Sequence, residues 1–298
     1  MKTVRVYVID AFTHKGCGGN TAGVVLTEES GELSDACMLE IAQEQGFSET
    51  AFVRRRSQTS LEVRYFTPTN EVAFCGHATI ALYALLFEKK LLSSASPDAR
   101  FQTYTKSGVV DIVRTAEGGI LMEMPMPEIV RNLRDEEIAE LGVVMGIGDL
   151  KTSHPSMGGI LLTPSVVRAG LTDIIMPVDG MQMLDALSPD FKALAALSEK
   201  HGVVGVHAFA VQSVQNMERG REEYVIHARN FAPLYGIDEE SATGTSNAGL
   251  TAYLFRHALV RQGEINVILQ GEKMNRTSEI HTAIGANILQ VGGFAKIR

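Results

Sequence analysis

The sequence has 298 residues, of which 45% are hydrophobic and 21% are charged, and its formal net charge is −8. This length allows two ordinary domains with real hydrophobic cores. The acidic balance argues against a nucleic-acid binder, which usually presents a basic face. An acidic protein can still bind a small anion in a site that is locally positive.

The N-terminus and the cysteines point to a cytoplasmic protein. The first residues, MKTVRVYVIDAF, alternate like a strand and lack the long apolar core of a signal peptide. No run approaches the ~18 apolar residues of a membrane span, so we expect no membrane partner. Cys17, Cys37 and Cys75 form no CxxC pair, and their spacing gives neither a disulfide framework nor a metal site.

Strands are predicted along the whole chain, with helical stretches between them. In the first half the predicted strands are 3–9, 21–27, 50–55, 61–66, 101–105 and 108–114. In the second half they are 119–124, 157–163, 205–213, 223–229 and 265–270, followed by 279–283 and 287–296. Two helices, 76–89 and 244–257, are apolar nearly all round, which is typical of a buried helix.

Five landmarks occur twice in the same order, which indicates a duplicated domain rather than coincidence between two αβ segments. They are Leu-Ser before a helix (Leu33-Ser34, Leu187-Ser188), a glycine after it (Gly46, Gly202), Ala-Phe in a strand (Ala51-Phe52, Ala208-Phe209), Arg-x-Phe-x-Pro (Arg64 to Pro68, Arg229 to Pro233), and a glycine that opens an apolar helix (Gly76, Gly244). Both serines are expected to cap their helices, with Pro189 at the first helical position. The first pair of glycines is expected to form left-handed C-caps.

The duplication predicts an α+β protein with two similar domains. Each domain is expected to be a curved, mostly antiparallel sheet wrapped around one central helix. The linker that contains Gly118 and Gly119 is the expected boundary, which gives domains of residues 1–118 and 119–284. The final strand, about 285–298, is free to return to the first domain.

The two buried helices each begin at a glycine with polar neighbours, which suggests an anion-binding site. A helix N-terminus offers unpaired N–H groups and the positive end of the helix dipole. Gly76 and Gly244 would let a ligand approach the backbone closely. If the two N-termini face each other across an interdomain cleft, they can bind a small carboxylate without lysine or arginine. The alternative is that each glycine only permits a tight turn.

Several side chains near these landmarks could transfer protons. The apolar neighbours of Glu49 could raise its pKa, although a solvated turn glutamate fits the same spacing. His77 is a candidate acid, base or ligand contact, or a structural histidine. Cys75 is either a base activated by the helix dipole or a small buried residue. Glu240 and Thr245 flank the second helix N-terminus.

The glycine-rich stretch KGCGGNTAGVV gives no nucleotide-binding signature, because GxGxxG before a helix and GxxxxGK[ST] are both absent. We interpret it as a turn that directs the side chain of Asn20 toward the site.

Four segments together resemble the phenazine-biosynthesis-like (PhzF-like) isomerase family. They are DAFT…GNTAGVV, QEQGFSETAFV, RYFTPTNEVAFCGHATIA and ARNFAP…GIDEESATGTSNAGL, and they extend from residue 10 to residue 250. The resemblance implies the diaminopimelate epimerase fold, which has two similar domains around central helices. It also implies a homodimer that acts on a small anionic carboxylate and needs no cofactor or metal.

The resemblance assigns roles to individual residues. Glu49 matches the family's acid/base carboxylate, which in the best-known member moves a proton within a cyclohexadiene carboxylic acid. His77 matches an active-site histidine. Glu240 stands where the family's EDPATGS motif has aspartate, Thr245 stands at its serine, and Ser241 replaces its proline.

Epimerases and racemases of this fold use two opposed cysteines, one at each helix N-terminus. Cys75 stands at or beside the first position, whereas Thr243 stands at the second. A threonine hydroxyl is far too weak an acid to replace a thiolate, which favours an isomerase with a single carboxylate base. The alternatives are a racemase or epimerase that uses Cys75 with another base, and a non-catalytic protein that binds small carboxylates.

Overall fold

The computed structural model describes residues 4–92, 99–148, 150, 156–157, 160–216 and 221–298. The chain divides into two compact units: unit 1 contains Met1–Met124 and Gln290–Arg298, and unit 2 contains Pro125–Leu289. The division follows Met124 rather than residue 118, because the strand after the two glycines pairs with the strand before them.

Seven α-helices lie in the described parts of the chain. They are α1 (Thr27–Ser30), α2 (Asp35–Gln45), α3 (Gly76–Glu88), α4 (Asp135–Val144), α5 (Gly180–Ala186), α6 (Phe191–His201) and α7 (Gly244–Arg256). Short 3₁₀ turns occupy Pro233–Tyr235 and Glu272–Met274. Among the described residues, no helix is both long enough and apolar enough to cross a bilayer.

The described strands follow one another between these helices. They are β1 (Tyr7–Ala11), β2 (Asn20–Leu26), β3 (Thr50–Arg55), β4 (Ser60–Phe66), β5 (Glu71–Val72), β6 (Arg100–Thr105), β7 (Gly108–Arg114), β8 (Ile120–Pro125), β9 (Glu128–Asn132), β10 (Ser156–Met157), β11 (Ile160–Leu161), β12 (Ser165–Ala169), β13 (Leu171–Pro177), β14 (Gly205–Asn216), β15 (Arg221–Ala232), β16 (Ile237–Glu240), β17 (Ile265–Gln270), β18 (Ser278–Ile284), β19 (Ile288–Gly293) and β20 (Ala295–Ile297).

Most predicted strands are confirmed within two residues at each end, but the first and several in the second half differ. The strand predicted over 3–9 begins only at Tyr7. The strand predicted over 157–163 is replaced by β10 and β11, and residues 158–159 lie outside the described residues. The prediction missed β9, β12 and β13, together with α4 and α5, because 157–163 was the one element that it assigned between residues 125 and 186.

The sheet of unit 1 alternates antiparallel and parallel neighbours. β1 pairs with β2 antiparallel, β2 with β3 parallel, β3 with β4 antiparallel, β4 with β6 parallel, and β6 with β7 antiparallel. A parallel pair needs a crossover connection, and helices supply both of them. α2 connects β2 to β3, and α3 lies between β4 and β6.

Unit 2 repeats this order of strands. β12 pairs with β13 antiparallel, β13 with β14 parallel, β14 with β15 antiparallel, β15 with β17 parallel, and β17 with β18 antiparallel. α6 and α7 occupy the positions of α2 and α3. The matching topology supports the duplication that the landmarks predict.

α3 and α7 are the central helices of their units. α3 packs on β1, β2, β3 and β20, and its residues from His77 to Tyr83 are all buried. α7 packs on β12, β13, β14 and β18, and its residues from Ser246 to Leu254 are all buried. The predicted α+β fold, with curved sheets around central helices, is confirmed.

The Arg-x-Phe landmark has the same structural role in both units. Each arginine donates two hydrogen bonds to a glutamate on the next strand, at 2.7–2.8 Å in unit 1 and 2.8–2.9 Å in unit 2. Each guanidinium also lies over a phenylalanine ring, at 5.1 and 4.9 Å from the centroid. The residues are Arg64, Glu71 and Phe66 in unit 1, and Arg229, Glu239 and Phe231 in unit 2.

The Ala-Phe landmark is displaced by one residue in the sheet. Phe52 lies opposite Arg64, whereas the residue opposite Arg229 is Ala208. Phe52 accordingly packs in the cluster beside α2, whereas Phe209 stacks edge-on against Tyr253 of the central helix α7. The sequence alignment of the two Ala-Phe pairs is therefore wrong by one position. A shift of one residue along a strand moves each side chain to the other face of the sheet, which explains the different packing of Phe52 and Phe209.

One of the two predicted helix caps is also wrong. Ser34 does cap α2, accepting a hydrogen bond from the backbone N–H of Cys37 at 3.3 Å. In unit 2 the cap is Asp190, which accepts from the N–H of Ala193 at 3.0 Å, so Ser188 and Pro189 precede the helix. An aspartate carboxylate is as good a cap as a serine hydroxyl. The glycine C-caps at both helix ends are confirmed, with φ of 65° and 64°.

Candidate active site

Glu49 stands at the entrance of β3, directly after the turn that ends α2. Its backbone carbonyl accepts a hydrogen bond from the N–H of Gly23 at 3.1 Å, which fixes this turn to β2. The Glu49 side chain is only 21% exposed, and its Oε2 is buried without a hydrogen-bond partner. A carboxylate oxygen in that condition is desolvated and available to a ligand.

The N-terminal turn of α3 brings an imidazole and a thiol to this carboxylate. Nε2 of His77 lies 3.2 Å from Oε2 of Glu49, although without hydrogen-bond geometry. Sγ of Cys75 lies 3.4 Å from Nδ1 of His77, and Nδ2 of Asn20 lies 3.5 Å from the same nitrogen. Asn20, Cys75 and His77 are all buried. The four predicted residues of the first half therefore form one cluster.

A buried hydroxyl pair fixes this turn of α3. Thr79 donates a hydrogen bond to the backbone carbonyl of Cys75 at 2.7 Å and accepts one from the hydroxyl of Tyr65 at 2.7 Å. Cys75 is the N-cap residue of α3 but makes no side-chain cap. The first N–H groups of the helix are thus not claimed by their own cap residue.

Burial sets the protonation of the two titratable groups in opposite directions. Burial raises the pKa of Glu49 above its ordinary value, and a hydrogen bond with Cys75 partly opposes this shift. Burial lowers the pKa of His77 to about 4. Since a buried imidazole is therefore neutral near pH 7, the contact is not an ion pair. Glu49 is a stronger base than an exposed glutamate.

Gly76 has a packing reason as well as the predicted ligand-binding one. A Cβ added at Gly76 would lie 3.2 Å from Cε of Met122, tighter than an ordinary contact. Because a methionine side chain is flexible, an alanine there would displace Met122 rather than prevent folding.

The second helix N-terminus carries a hydrogen-bonded network. Thr243 donates from Oγ1 to Oε2 of Glu240 at 2.9 Å. Gln270 donates to the backbone carbonyl of Glu240 at 2.7 Å and to Oγ1 of Thr243 at 3.1 Å. Its Oε1 accepts from the N–H of Thr243 at 3.2 Å and from Nδ2 of Asn247 at 2.7 Å. Gln270, at the end of β17, therefore fixes both the loop and the carboxylate.

The network continues into the core of unit 2. Asn230 donates to Nδ1 of His207 at 3.1 Å, so the proton of the ring lies on Nε2 and is donated to Oδ1 of Asn247 at 3.1 Å. Asn247 donates onward to the carbonyl of Thr243 at 2.8 Å and to Gln270. Burial lowers the pKa of His207 to about 4, which keeps it in this neutral form.

The structure separates the roles of the two threonines at this helix. Thr243 holds the Glu240 carboxylate. A Cβ placed on Gly170 would lie 3.8 Å from Cγ2 of Thr245, so the methyl group of Thr245 faces the β12–β13 turn. Thr245 and Gly244 lie in the first turn of α7, as predicted.

The sequence did not point to Gln270, Asn247 or His207. It drew attention to Thr243 only because this threonine stands where related epimerases have their second cysteine. The available signal was weak. Asn247 follows Thr243 by one helical turn, so an amide that bonds the N-cap carbonyl could have been anticipated. Gln270 and His207 join the network only through strand pairing, which the sequence does not display.

Comparison with known proteins places the chain among one set of relatives. The sequence model of the family described as phenazine biosynthesis-like protein (PhzC-PhzF) matches residues 9–295. The isomerase YddE of Escherichia coli K12 is 32% identical over 94% of this chain and 90% of its own. The trans-2,3-dihydro-3-hydroxyanthranilate isomerase of Pseudomonas aeruginosa is 29% identical over 93% of this chain and 89% of its own. A PhzF-family phenazine biosynthesis protein from Bacillus anthracis shares the fold, with a TM-score of 0.78, 23% identity and coverage of 100% and 97%.

Proposed function

Because this chain belongs to the phenazine biosynthesis-like protein family and its relatives include named isomerases, we propose that it is an isomerase that moves a proton within a small carboxylic acid. Glu49 is the acid/base group of this proposal, and the step needs no cofactor. The observation that carries it is the desolvated Glu49 carboxylate, which has one buried oxygen without a partner beside a neutral imidazole.

The proposed reaction uses one carboxyl group twice. The Glu49 carboxylate removes a proton from a carbon that is α or vinylogous to an electron-withdrawing group. The electron pair delocalises over the conjugated system of the substrate, and the resulting Glu49 carboxylic acid returns the proton to another carbon. The raised pKa of Glu49 favours both halves of this exchange, since a base and its conjugate acid work best when that pKa approaches the operating pH.

The neighbouring residues orient the substrate in this proposal. The neutral His77 offers a hydrogen bond without competing with Glu49 as a charged acid. Asn20 contacts His77 from the far side of the ring. The substrate carboxylate is bound by backbone N–H groups at Gly76 and at Gly244, the positive ends of two helix dipoles. Binding by both helix N-termini in one interdomain cleft is a prediction from the sequence repeat, as are the homodimer and the cytoplasmic location.

Glu240 completes the proposed site from the second helix. Its carboxylate is held by Thr243 and its backbone by Gln270, so its orientation is fixed before any ligand binds. We propose that it orients the substrate or relays a proton to Glu49. The longer side chain, where the family's motif has aspartate, alters the reach of this carboxylate by about one methylene.

The test is proton exchange with solvent. The first compound to assay is trans-2,3-dihydro-3-hydroxyanthranilic acid, because a relative is named for its isomerisation. In deuterated water the wild-type protein should place deuterium into this or a related carboxylic acid. Glu49→Gln removes the base while preserving shape and should abolish the exchange. Gln43→Glu on the exposed face of α2 is the matched surface control and should exchange normally. Full exchange by Glu49→Gln would overturn the proposal.

The racemase alternative is supported by the contact of Cys75 with His77. Its weakness is that Thr243 occupies the equivalent N-cap of α7, where a second thiol would be needed. Cys75→Ala distinguishes the two: the isomerase proposal expects most activity to survive, and the racemase expects a loss as large as that of Glu49→Gln. A protein that only binds carboxylates would exchange no deuterium in any variant.

A further inference from the structure

We propose that Asn20 and Cys75 are positioning residues that hold the imidazole of His77 in the tautomer with its proton on Nε2. Both side chains lie beside Nδ1 of this ring, with Nδ2 of Asn20 at 3.5 Å and Sγ of Cys75 at 3.4 Å. All three residues are buried. The tautomer depends only on these contacts, whereas its use in catalysis rests on the proposed function.

The carboxylate of Glu49 determines which ring nitrogen carries the proton. Nε2 of His77 lies 3.2 Å from Oε2 of Glu49. An ionised carboxylate only accepts hydrogen bonds, and so does an unprotonated ring nitrogen. A lone pair on Nε2 would therefore face a negatively charged acceptor, whereas an Nε2–H group places a positive hydrogen there. Burial lowers the pKa of His77 to about 4, so near pH 7 the ring is neutral and carries one proton.

With this proton on Nε2, Nδ1 is an acceptor and needs a donor. A buried polar atom that lacks a partner is costly. The amide of Asn20 directs Nδ2 at this nitrogen, and the thiol of Cys75 is a second, weaker donor. Sγ lies 3.4 Å from Nδ1 but 3.9 Å from Nε2, so the thiol is closer to the acceptor nitrogen. The contact therefore makes Cys75 a donor to the imidazole rather than a base.

Two separate elements hold the two donors in place. Asn20 begins β2 and pairs with Ala11 of β1. Cys75 is the N-cap residue of α3, and its backbone carbonyl accepts a hydrogen bond from Oγ1 of Thr79 at 2.7 Å. The position of the ring is thus fixed from the sheet and from the helix before any ligand binds.

The fixed tautomer makes His77 a hydrogen-bond donor and prevents it from acting as a second base. Nε2 already carries a proton, and Nδ1 is occupied by its two donors. The contact with Oε2 of Glu49 lacks hydrogen-bond geometry, so the carboxylate does not consume the Nε2–H group. In the proposed reaction this N–H group stabilises negative charge that develops on the substrate, while the transferred proton stays on Glu49.

Nuclear magnetic resonance of protein labelled with ¹⁵N-histidine reports the tautomer directly, because protonated and unprotonated ring nitrogens have well-separated chemical shifts. The protein has eight histidines, and His77→Gln identifies the signals of His77 among them. In the wild-type protein near pH 7, Nε2 should be protonated and Nδ1 unprotonated. A proton on Nδ1 in the wild-type protein would overturn the proposal.

Variants of the two donors test their roles. Asn20→Asp replaces the amide with a carboxylate that only accepts, so Nδ1 should become protonated. Cys75→Ala should shift the Nδ1 signal toward that of a nitrogen without hydrogen bonds, and Cys75→Ser, which keeps a donor, should restore it. Cys37→Ala removes a thiol from α2 and is the matched control, with unchanged signals expected.

Thermal unfolding checks that each variant is folded. If neither Asn20→Asp nor Cys75→Ala changes the Nδ1 signal in folded protein, the two residues do not hold the ring and the proposal fails.

Activity gives a separate readout. Asn20→Asp should lower kcat by ~10²-fold or more, the usual effect of losing a fixed donor to the transition state, whereas Cys75→Ala retains the Asn20 donor and most of its activity. If the wild-type signals are as expected but Glu49→Gln keeps full deuterium exchange, the proposed function fails and the tautomer stands. If exchange depends on Glu49 but Nδ1 carries the proton, the proposed function stands and the positioning roles fail.

Discussion

Gln270 should be among the most sensitive polar positions of unit 2. It is fully buried and takes part in four hydrogen bonds, to the carbonyl of Glu240, to Oγ1 and N–H of Thr243, and to the amide of Asn247. Gln270→Met preserves the size of the side chain and removes all four. At about 1 kcal/mol net per hydrogen bond, the direct loss is about 4 kcal/mol.

Two further effects reduce this loss. Thr243 and Glu240 are only partly buried, so water can reach the N–H and the carbonyl that lose their partner. The thioether of methionine also gains some hydrophobic burial. The free energy of unfolding should therefore fall by about 2–4 kcal/mol, a large share of the ~5–15 kcal/mol of an ordinary domain.

Urea unfolding followed by circular dichroism measures this loss, with the transitions of the two units fitted separately if they resolve. Gln102→Met on the exposed face of β6 is the matched control and should change stability by less than about 0.5 kcal/mol. A loss below about 1 kcal/mol in Gln270→Met would show that the network does not fix the α7 N-terminus, and the same variant should then keep normal substrate affinity.

Three other predictions concern titration and activity. Because burial raises the pKa of Glu49, ionisation of this carboxyl group opposes folding as the pH rises above 4.5. Glu49→Gln should therefore unfold at a higher urea concentration than the wild type at pH 7, but not at pH 3. Equal urea midpoints at pH 7 would contradict this prediction. The acidic limb of the kcat/KM profile should reflect this raised pKa and lie at a pH above the ordinary pKa of a glutamate. Burial lowers the pKa of His207 from 6.5 to about 4, so the free energy of unfolding should decrease by up to about 3 kcal/mol as the pH falls through that interval. His207→Gln should reduce this dependence of stability on pH, as measured by urea titrations at several pH values.

Local patterns predicted the parts of the fold that depend on local physics. The all-round apolar character of 76–89 and 244–257 identified both central helices, because a helix without a polar face has to be buried. Gly46 and Gly202 marked helix ends correctly, because a left-handed C-cap strongly favours glycine. Glu49, His77 and Asn20 were selected by motif, and the structure brings them together.

Long-range pairing explains what the sequence did not reveal. The network of Gln270, Asn247 and His207 joins residues from β17, α7 and β14, and no spacing along the chain records that proximity. The same holds for the contact between Glu49 and Cys75. The alignment of the Ala-Phe landmark was wrong for a related reason. Identical residues can be aligned in sequence while the strand register places their side chains on opposite faces of the sheet.

The corrected register accounts for an asymmetry in the chemistry. If Phe52 corresponds to Ala208, as their shared position opposite the two arginines requires, then counting back along each strand pairs Glu49 with Gly205. A Cβ at Gly205 would lie 1.9 Å from the carbonyl oxygen of Phe231, so the backbone leaves no room for any side chain there. Unit 2 thus cannot carry a second carboxylate at the position that Glu49 occupies in unit 1. The N-cap positions of the two central helices differ in the same way, with Cys75 in unit 1 and Thr243 in unit 2. Neither of these two pairs of equivalent positions therefore supplies two matched bases. This asymmetry supports the proposal that a single base takes a proton and returns it, and Gly205→Glu should fail to fold rather than create a second base.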